Sequence, residues 1–496
     1  MRTQSEVVRK IGLWSALLVS GTVSARAAES SWSPWPEAAS GVHARMLGPM
    51  PVHIAAKAIT QDGHHVALMG QLPLGKWAIF VDGREGPAYD DIDTPMFSPG
   101  GQRVAYVAQK DQNWVVVVDG REGAEYDGIM LGTFGTPVFS PDGQHVAYGA
   151  QRGKKWFAVI DGHAGLEYDS IGDFVFSPDS RRVAYTAGEG RDWFVVLNGR
   201  EGPAYDSIIE GTLVFSPDGS RVAYAAQKDS YQVVVVDGHE GGEYDLIDSG
   251  SLVFSAGGQH IAYKAKYGDA WVMVLDGKDG PDCDDVLANT FLFSSDGSRT
   301  AYAAQKGRKQ FVVVDGQVGP KYDSIGEGSP IFSANGKRLA YVAQKDGKYV
   351  AVVDGQVGPD YDGIDSLSLK FSSGGEHVAY VAQKGQKHLM VLDGQEGPEY
   401  DDIGEGAPIF SADGQRMAYA GKRDQNWHIV VDGREQSAEY DGIMPGSLIF
   451  SPDGDRVVCT TEKDQNWSEV VNGHAGPEYD DILPGAVFSP GGHRLA

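Results

Sequence analysis

From Ile59 to the C-terminus the chain repeats one phrase, and no other property of it restricts the fold so tightly. Its fullest form is x-Phe-Ser-Pro-Asp-Gly-x-Arg-Val-Ala-Tyr-x-Ala-Gln-Lys, a short polar stretch, then Trp-x-Val-Val-Val-Asp-Gly-x-x-Gly-Pro-x-Tyr-Asp-x-Ile. One aromatic slot fixes the register: Phe97, Phe139, Phe176, Phe215, Phe254, Phe293, Phe332, Phe371, Phe410, Phe450 and Phe488, with Ile59 in the same slot of the first unit. From Phe176 to Phe410 the spacing is 39 residues at every step. That period lies in the range of propeller blades, and it gives eleven complete repeats with a partial twelfth.

Within a unit, four apolar runs are divided by Gly, Asp and Pro, which signals strands and not helix. Around Phe215 the runs are Thr212 to Ser216, Arg221 to Ala226, Gln232 to Asp237 and Glu243 to Ile247. Pro217-Asp218-Gly219 makes a tight first joint: Pro presets φ, Asp bonds its own backbone and Gly accepts positive φ. The second joint is polar and variable, as in Gln109 to Asn113, and reads as a solvated loop. The third opens with Asp-Gly, as at Asp119-Gly120 and Asp354-Gly355, the strongest short hairpin signal. A four-stranded meander follows.

The second run alternates, as in Arg103-Val104-Ala105-Tyr106, whereas the third, Val115 to Val118, is apolar throughout. A strand apolar on both faces must be covered on both. One meander cannot do that alone, so each sheet must pack against its neighbours, which is the logic of an all-β propeller. Propellers usually close with four to eight blades, so twelve registers suggest two six-bladed rings. The expected division is residues 1–27 as signal peptide, 28–51 as leader, 52–290 as repeats one to six, and 291–496 as repeats seven to twelve.

The formal net charge is −26. The first 27 residues carry Arg2, Arg9, Lys10 and Arg26 against Glu6 alone, so the acidity lies in the repeats. Such a surface repels phosphate backbones and anionic lipid, which argues against a nucleic-acid partner. Arg9-Lys10, the apolar run Ile11 to Val23, and Ala25-Arg26-Ala27 read as an export signal cleaved before Ala28. The run is too short to span a bilayer and no later segment is long and apolar enough, so membrane insertion is not expected. The expected location is the periplasm or outside the cell. Cys283 and Cys459, each in place of a recurrent tyrosine and four units apart, read as buried free thiols.

Positions shared by every unit are architectural before they are catalytic, because a single active site does not repeat eleven times. The aspartate of the Tyr-Asp pair recurs at Asp90, Asp127, Asp169, Asp206, Asp245, Asp284, Asp323, Asp362, Asp401, Asp441 and Asp480, after Cys283 in the one unit that lacks the tyrosine. Two readings are open. In one the carboxylates accept backbone N–H bonds where one blade turns into the next; in the other they form a ring that binds cations, with calcium as the fitting ion. An aromatic stripe at Trp77, Trp114, Trp156, Trp193, Trp271, Tyr349, Trp427 and Trp467, with His388 in the same slot, fits blade packing at a half-exposed rim, or else a sugar platform. Units with Gln232 and Gln310 in that slot carry Tyr231 and Phe311 beside it. Histidines at His65, His145, His260, His377 and His493 fall one per unit and have no metal-ligand spacing. No nucleophile elbow, zincin motif, phosphate loop or Cys-x-x-Cys is present.

The stretch Phe-Ser-Pro-Asp-Gly-x-Arg-Val-Ala-Tyr, clearest at Phe139 to Tyr148, Phe215 to Tyr224 and Phe450 to Cys459, resembles the WD-like repeat of TolB-type β-propellers. The resemblance runs from about residue 52 to the end, and it implies that the Phe-Ser strand lies innermost. TolB itself resembles a propeller preceded by a small α/β domain, whereas here about two dozen residues separate Ala28 from the first strand. The hydrolase domain of propeller peptidases is not seen in the sequence, and the likeness to Asp-box proteins is superficial. The blade serves binding proteins and enzymes alike, so function must come from sites.

Two functions are expected. The first is an exported, non-enzymatic scaffold whose variable loops meet a protein or glycan partner. The second is a carbohydrate-active enzyme, a polysaccharide lyase or hydrolase, with its site in the channel and Asp284-Asp285 or Asp401-Asp402 as candidate acid/base groups.

Overall fold

The computed structural model describes residues 53–130, 137–436, 438–482 and 488–489. The signal and leader segments and His493 lie outside them. These described residues all fall in one compact unit. It is an all-β protein of the β-propeller blade type: eleven consecutive four-stranded antiparallel meanders, and no helix beyond a single 3-10 turn at Pro73–Gly75 among the described residues.

The fifth sheet shows how sequence becomes blade. Its first strand is two short pieces, Ser207–Ile208 and Val214–Phe215, both paired with the second strand, Val222–Lys228. Tyr231–Val236 and His239–Tyr244 complete the meander. The Asp237-Gly238 joint has φ of 51° and 81°, the doubly positive pattern of a type I′ turn, whose twist matches that of the flanking strands. Because that loop holds only two residues, the fourth strand starts at once and ends at Tyr244.

This corrects the expected fourth run. Glu243 to Ile247 is not one strand: Tyr244 pairs with Gln232 of its own sheet, while Leu246–Ile247 opens the first strand of the next. The blade boundary passes between the tyrosine and the aspartate, and the Asp245 N–H already donates to Lys266 O in the following sheet.

The third strands are the interior. Val115, Val116 and Val117 are buried, and so are their counterparts Val233 to Val235 and Leu389 to Val391. Each apolar cluster joins two consecutive sheets: Ala301 and Val312 pack with Leu339, Tyr341 and Val350, and Ala379 and Met390 with Tyr400, Met417 and Val430. The cluster of Ala262, Met273, Val286, Tyr302 and Phe311 continues this packing across residue 290.

Arginine ties the same seams from a second level. Arg338 Nε binds Asp354 Oδ2 of its own Asp-Gly turn at 2.8 Å, and its NH1 donates to Glu376 O in the next sheet. The guanidinium lies 5.3 Å from the centroid of Phe371, again in the next sheet. Arg103, Arg221, Arg299 and Arg416 repeat the arrangement. His65, His145, His260 and His377 keep the local half of it, each Nδ1 lying 2.7 Å from the turn aspartate, and the His65 ring also lies 6.5 Å from that of Phe97 in the next sheet.

Leu389 is 1% exposed in the middle of this packing. Leu389→Ala is expected to lower the unfolding free energy by about 2–5 kcal/mol in urea titration. A loss under about 1 kcal/mol would show that the seam is not close-packed.

Candidate interaction surface

Ten of the eleven recurrent aspartates do the same thing. The Oδ2 of each accepts an N–H from the second-to-third-strand hairpin of the following sheet: Asp127 from Gly153 at 2.6 Å, Asp284 from Gly307 at 2.7 Å, Asp362 from Gly385 at 2.7 Å. Asp90, Asp169, Asp206, Asp245, Asp323, Asp401 and Asp441 match them. Asp480 is exposed. Five of these carboxylates also take a lysine from the start of the preceding third strand, as in Lys155–Asp169 at 2.8 Å and Lys309–Asp323 at 2.6 Å; the others are Asp90, Asp362 and Asp401. Each of these ten carboxylates therefore holds the hairpin of the sheet it heads, and five also tie it to the preceding sheet. Among the described residues no three His, Cys, Asp or Glu side chains come together to hold a metal ion.

The lysine bond, and then the backbone N–H, hold Asp90, Asp169, Asp323 and Asp401 below the ordinary carboxylate range; at Asp362 the N–H of Gly385 leads. A depressed folded-state pKa means stability that is complete above the unfolded value and lost as pH falls through the folded one. The melting temperature is therefore expected to stay flat from pH 7 to 5 and to drop below about pH 4 in differential scanning calorimetry. An unchanged midpoint at pH 3 would contradict this.

The aromatic stripe is half-buried at every position. Trp77, Trp114 and Trp156 pack on the cluster shared with the following sheet. Where glutamine takes the slot, hydrogen bonding replaces packing: Gln232 Oε1 accepts from Ile247 N and Gln310 Oε1 from Ile325 N, both at 2.7 Å and both across the seam. His388 Nδ1 lies 3.2 Å from Asp401 O. Asp284-Asp285 and Asp401-Asp402 are engaged too, Asp285 with Lys264 at 2.7 Å and Asp402 with the N–H of Ile403 at 2.9 Å.

A third tie escaped the reading of the sequence. In seven seams the tyrosine that follows the fourth strand or ends it meets, edge-on, the second-strand tyrosine of the next sheet, as in Tyr361–Tyr380 at 6.2 Å between centroids. In five seams a tyrosine hydroxyl at this place donates to an acid just past the Asp-Gly or Asn-Gly turn of the next sheet: Tyr89 to Glu122, Tyr168 to Glu201, Tyr244 to Asp279, Tyr361 to Glu396 and Tyr400 to Glu435. Lys110, Lys384 and Arg423 neutralise their acids. Where the acid becomes Val357 or Ala475, the buried hydroxyls of Tyr322 and Tyr440 have no partner, and that of Tyr205 has none with Glu240 in the slot, so co-occurrence was only a partial signal. Both cysteines are free and buried and replace one member of such a pair; burial pushes the Cys283 thiol up to about 11 and that of Cys459 to about 12.

Val357→Glu would place an acceptor beside the Tyr322 hydroxyl, with Lys345 at the position of Lys384. It is expected to stabilise the fold by about 1 kcal/mol in thermal unfolding at pH 7, and no gain if Tyr322→Phe is introduced first.

No family model matches the chain, and no curated protein does. A solved structure described as the crystal structure of the eukaryotic initiation factor is similar over 68% of this chain and 96% of that one, at 13% identity and a TM-score of 0.29.

Among the described residues no helix is long and apolar enough to cross a membrane.

Proposed function

We propose that the chain is an exported, non-enzymatic scaffold that binds a protein or glycan partner through the hairpin rim of its blades, in the periplasm or outside the cell. One observation carries this reading: the recurrent carboxylates, arginines and tyrosines are engaged in bonds within and between sheets, so the surface left for recognition is the variable rim. After the Asp-Gly or Asn-Gly turn the residues change from unit to unit, from Arg84-Glu85 and His163-Ala164 to Gln317-Val318 and Gln356-Val357. These fourth strands are short and exposed, and a short edge strand presents side chains while limiting sheet-to-sheet aggregation. Val318 and Val357 occupy the same register in consecutive sheets and are 50% and 56% exposed. The acidic repeats repel nucleic acid and favour neutral or basic partners.

The test is affinity capture from envelope extract beside a glycan array, followed by titration of whatever is retained. A saturable, unaltered partner is expected, with Val318→Lys/Val357→Lys weakening it about tenfold and leaving the melting temperature unchanged. Cleavage of the bound glycan would overturn the non-enzymatic reading.

A further inference from the structure

The seam between the tenth and eleventh sheets holds a cavity of about 360 Å³. Its floor is Ala407, Ala418 and Ala420; its walls include Trp427, Met444 and Leu448. The exposed residues Glu405-Gly406 and Pro445-Gly446 frame the mouth. The space exists because small residues coincide: the fifth and seventh sheets also have alanine in the Ala420 slot but set Ile209 and Leu287 beside it, and the eighth pairs Gly326 with Val342, whereas the tenth sets Gly404 beside Ala420.

The cavity also contains a polar irregularity. In six other sheets a Ser or Thr hydroxyl after the first half-strand accepts the N–H of the residue in the Ala420 slot. Thr212 takes Ala225, Ser251 takes Lys264, Thr290 takes Ala303, Ser329 takes Val342, Ser368 takes Val381 and Ser447 takes Thr460, at 2.8–3.1 Å. In the tenth sheet that residue is Ala407. Ala420 O accepts from Gly404 N on this side of the strand, and in a β-strand the N–H of a residue points to the same side as its C=O. The Ala420 N–H therefore faces the cavity floor without the hydroxyl acceptor its counterparts have. A donor so placed favours a guest that supplies the missing acceptor.

We propose that this cavity is a binding site for a small, neutral, mainly apolar molecule carrying one hydrogen-bond acceptor, such as an aromatic ketone, with its ring beside Trp427 and its oxygen on the Ala420 N–H. The carboxylate of Glu405 at the mouth disfavours anions. A cavity of roughly 150 Å³ accepts benzene, so this one has room for two fused rings. The site lies inside a seam and is independent of the rim reading.

The probes are 1-indanone and indane, which differ by the carbonyl oxygen. With the full chain, 1-indanone is expected to change tryptophan fluorescence saturably at submillimolar concentration and to raise the melting temperature, and indane to bind about tenfold more weakly. Ala407→Ser restores the hydroxyl found in six other repeats, so it is expected to fold normally and to reduce 1-indanone binding to the level of indane. Ala420→Leu fills the space and is expected to abolish both; should it fail to fold, the Ala407→Ser comparison stands by itself. Equal binding of the two probes, unaltered 1-indanone binding by Ala407→Ser, or no binding of either probe at millimolar concentration would each overturn the proposal.

Discussion

A third strand with no polar face is the constraint from which the architecture follows. Val115 to Val117, Val233 to Val235 and Leu389 to Val391 sit in the middle of their sheets with both surfaces apolar, so a lone meander would leave one or both surfaces in water. Burial comes from the adjacent sheets, and the apolar clusters accordingly span neighbours. The second strand supplies the small partner: Ala105, Ala223 and Ala340 are fully buried and let the next sheet approach.

Apolar packing is tolerant of sliding, and the polar ties remove that freedom. Three kinds of tie act across the seams: the arginine that reaches from its own turn to the next sheet's turn, the lysine that binds the aspartate heading the next sheet, and the tyrosine that donates to the next sheet's acid. They lie at different levels along the strands, so together they fix register as well as distance. Their absence is informative too. Arg182 faces Asn198 in place of the usual aspartate and keeps a buried NH2 without a partner. Tyr322 and Tyr440 keep unpaired hydroxyls where Val357 and Ala475 stand. Each unpaired buried group costs of order 1–3 kcal/mol, a cost that the intact neighbouring seams absorb.

Much of the fold was legible because turns announce themselves. Asp-Gly at 237–238 and Pro-Asp-Gly at 217–219 dictate backbone torsions locally, and the structure has them where the residues require. The half-buried aromatic stripe and the two buried thiols were readable from pattern alone. The blade boundary was not, because Glu243 to Ile247 is continuous in composition and only the change of pairing partner at Asp245 divides it. The tyrosine–acid bonds were hidden for a related reason: Tyr361 and Glu396 are 35 residues apart and belong to different sheets, so nothing local marks them as partners. The cavity beside Trp427 depends on what is missing, a hydroxyl at Ala407 and bulk at Ala420, and omissions become visible only once the sheets are superposed in register.

The position of the blade boundary, between tyrosine and aspartate, has a genetic corollary. The tyrosine and the acid of a seam bond are encoded in different repeats, as Tyr361 and Glu396 are, and Tyr400 and Glu435. Unequal crossing-over between copies that carry both groups would therefore restore the bond at the junction. Such a gene can lengthen or shorten by whole modules without inventing a new joint, and novelty is free to accumulate in the tips that no neighbour needs.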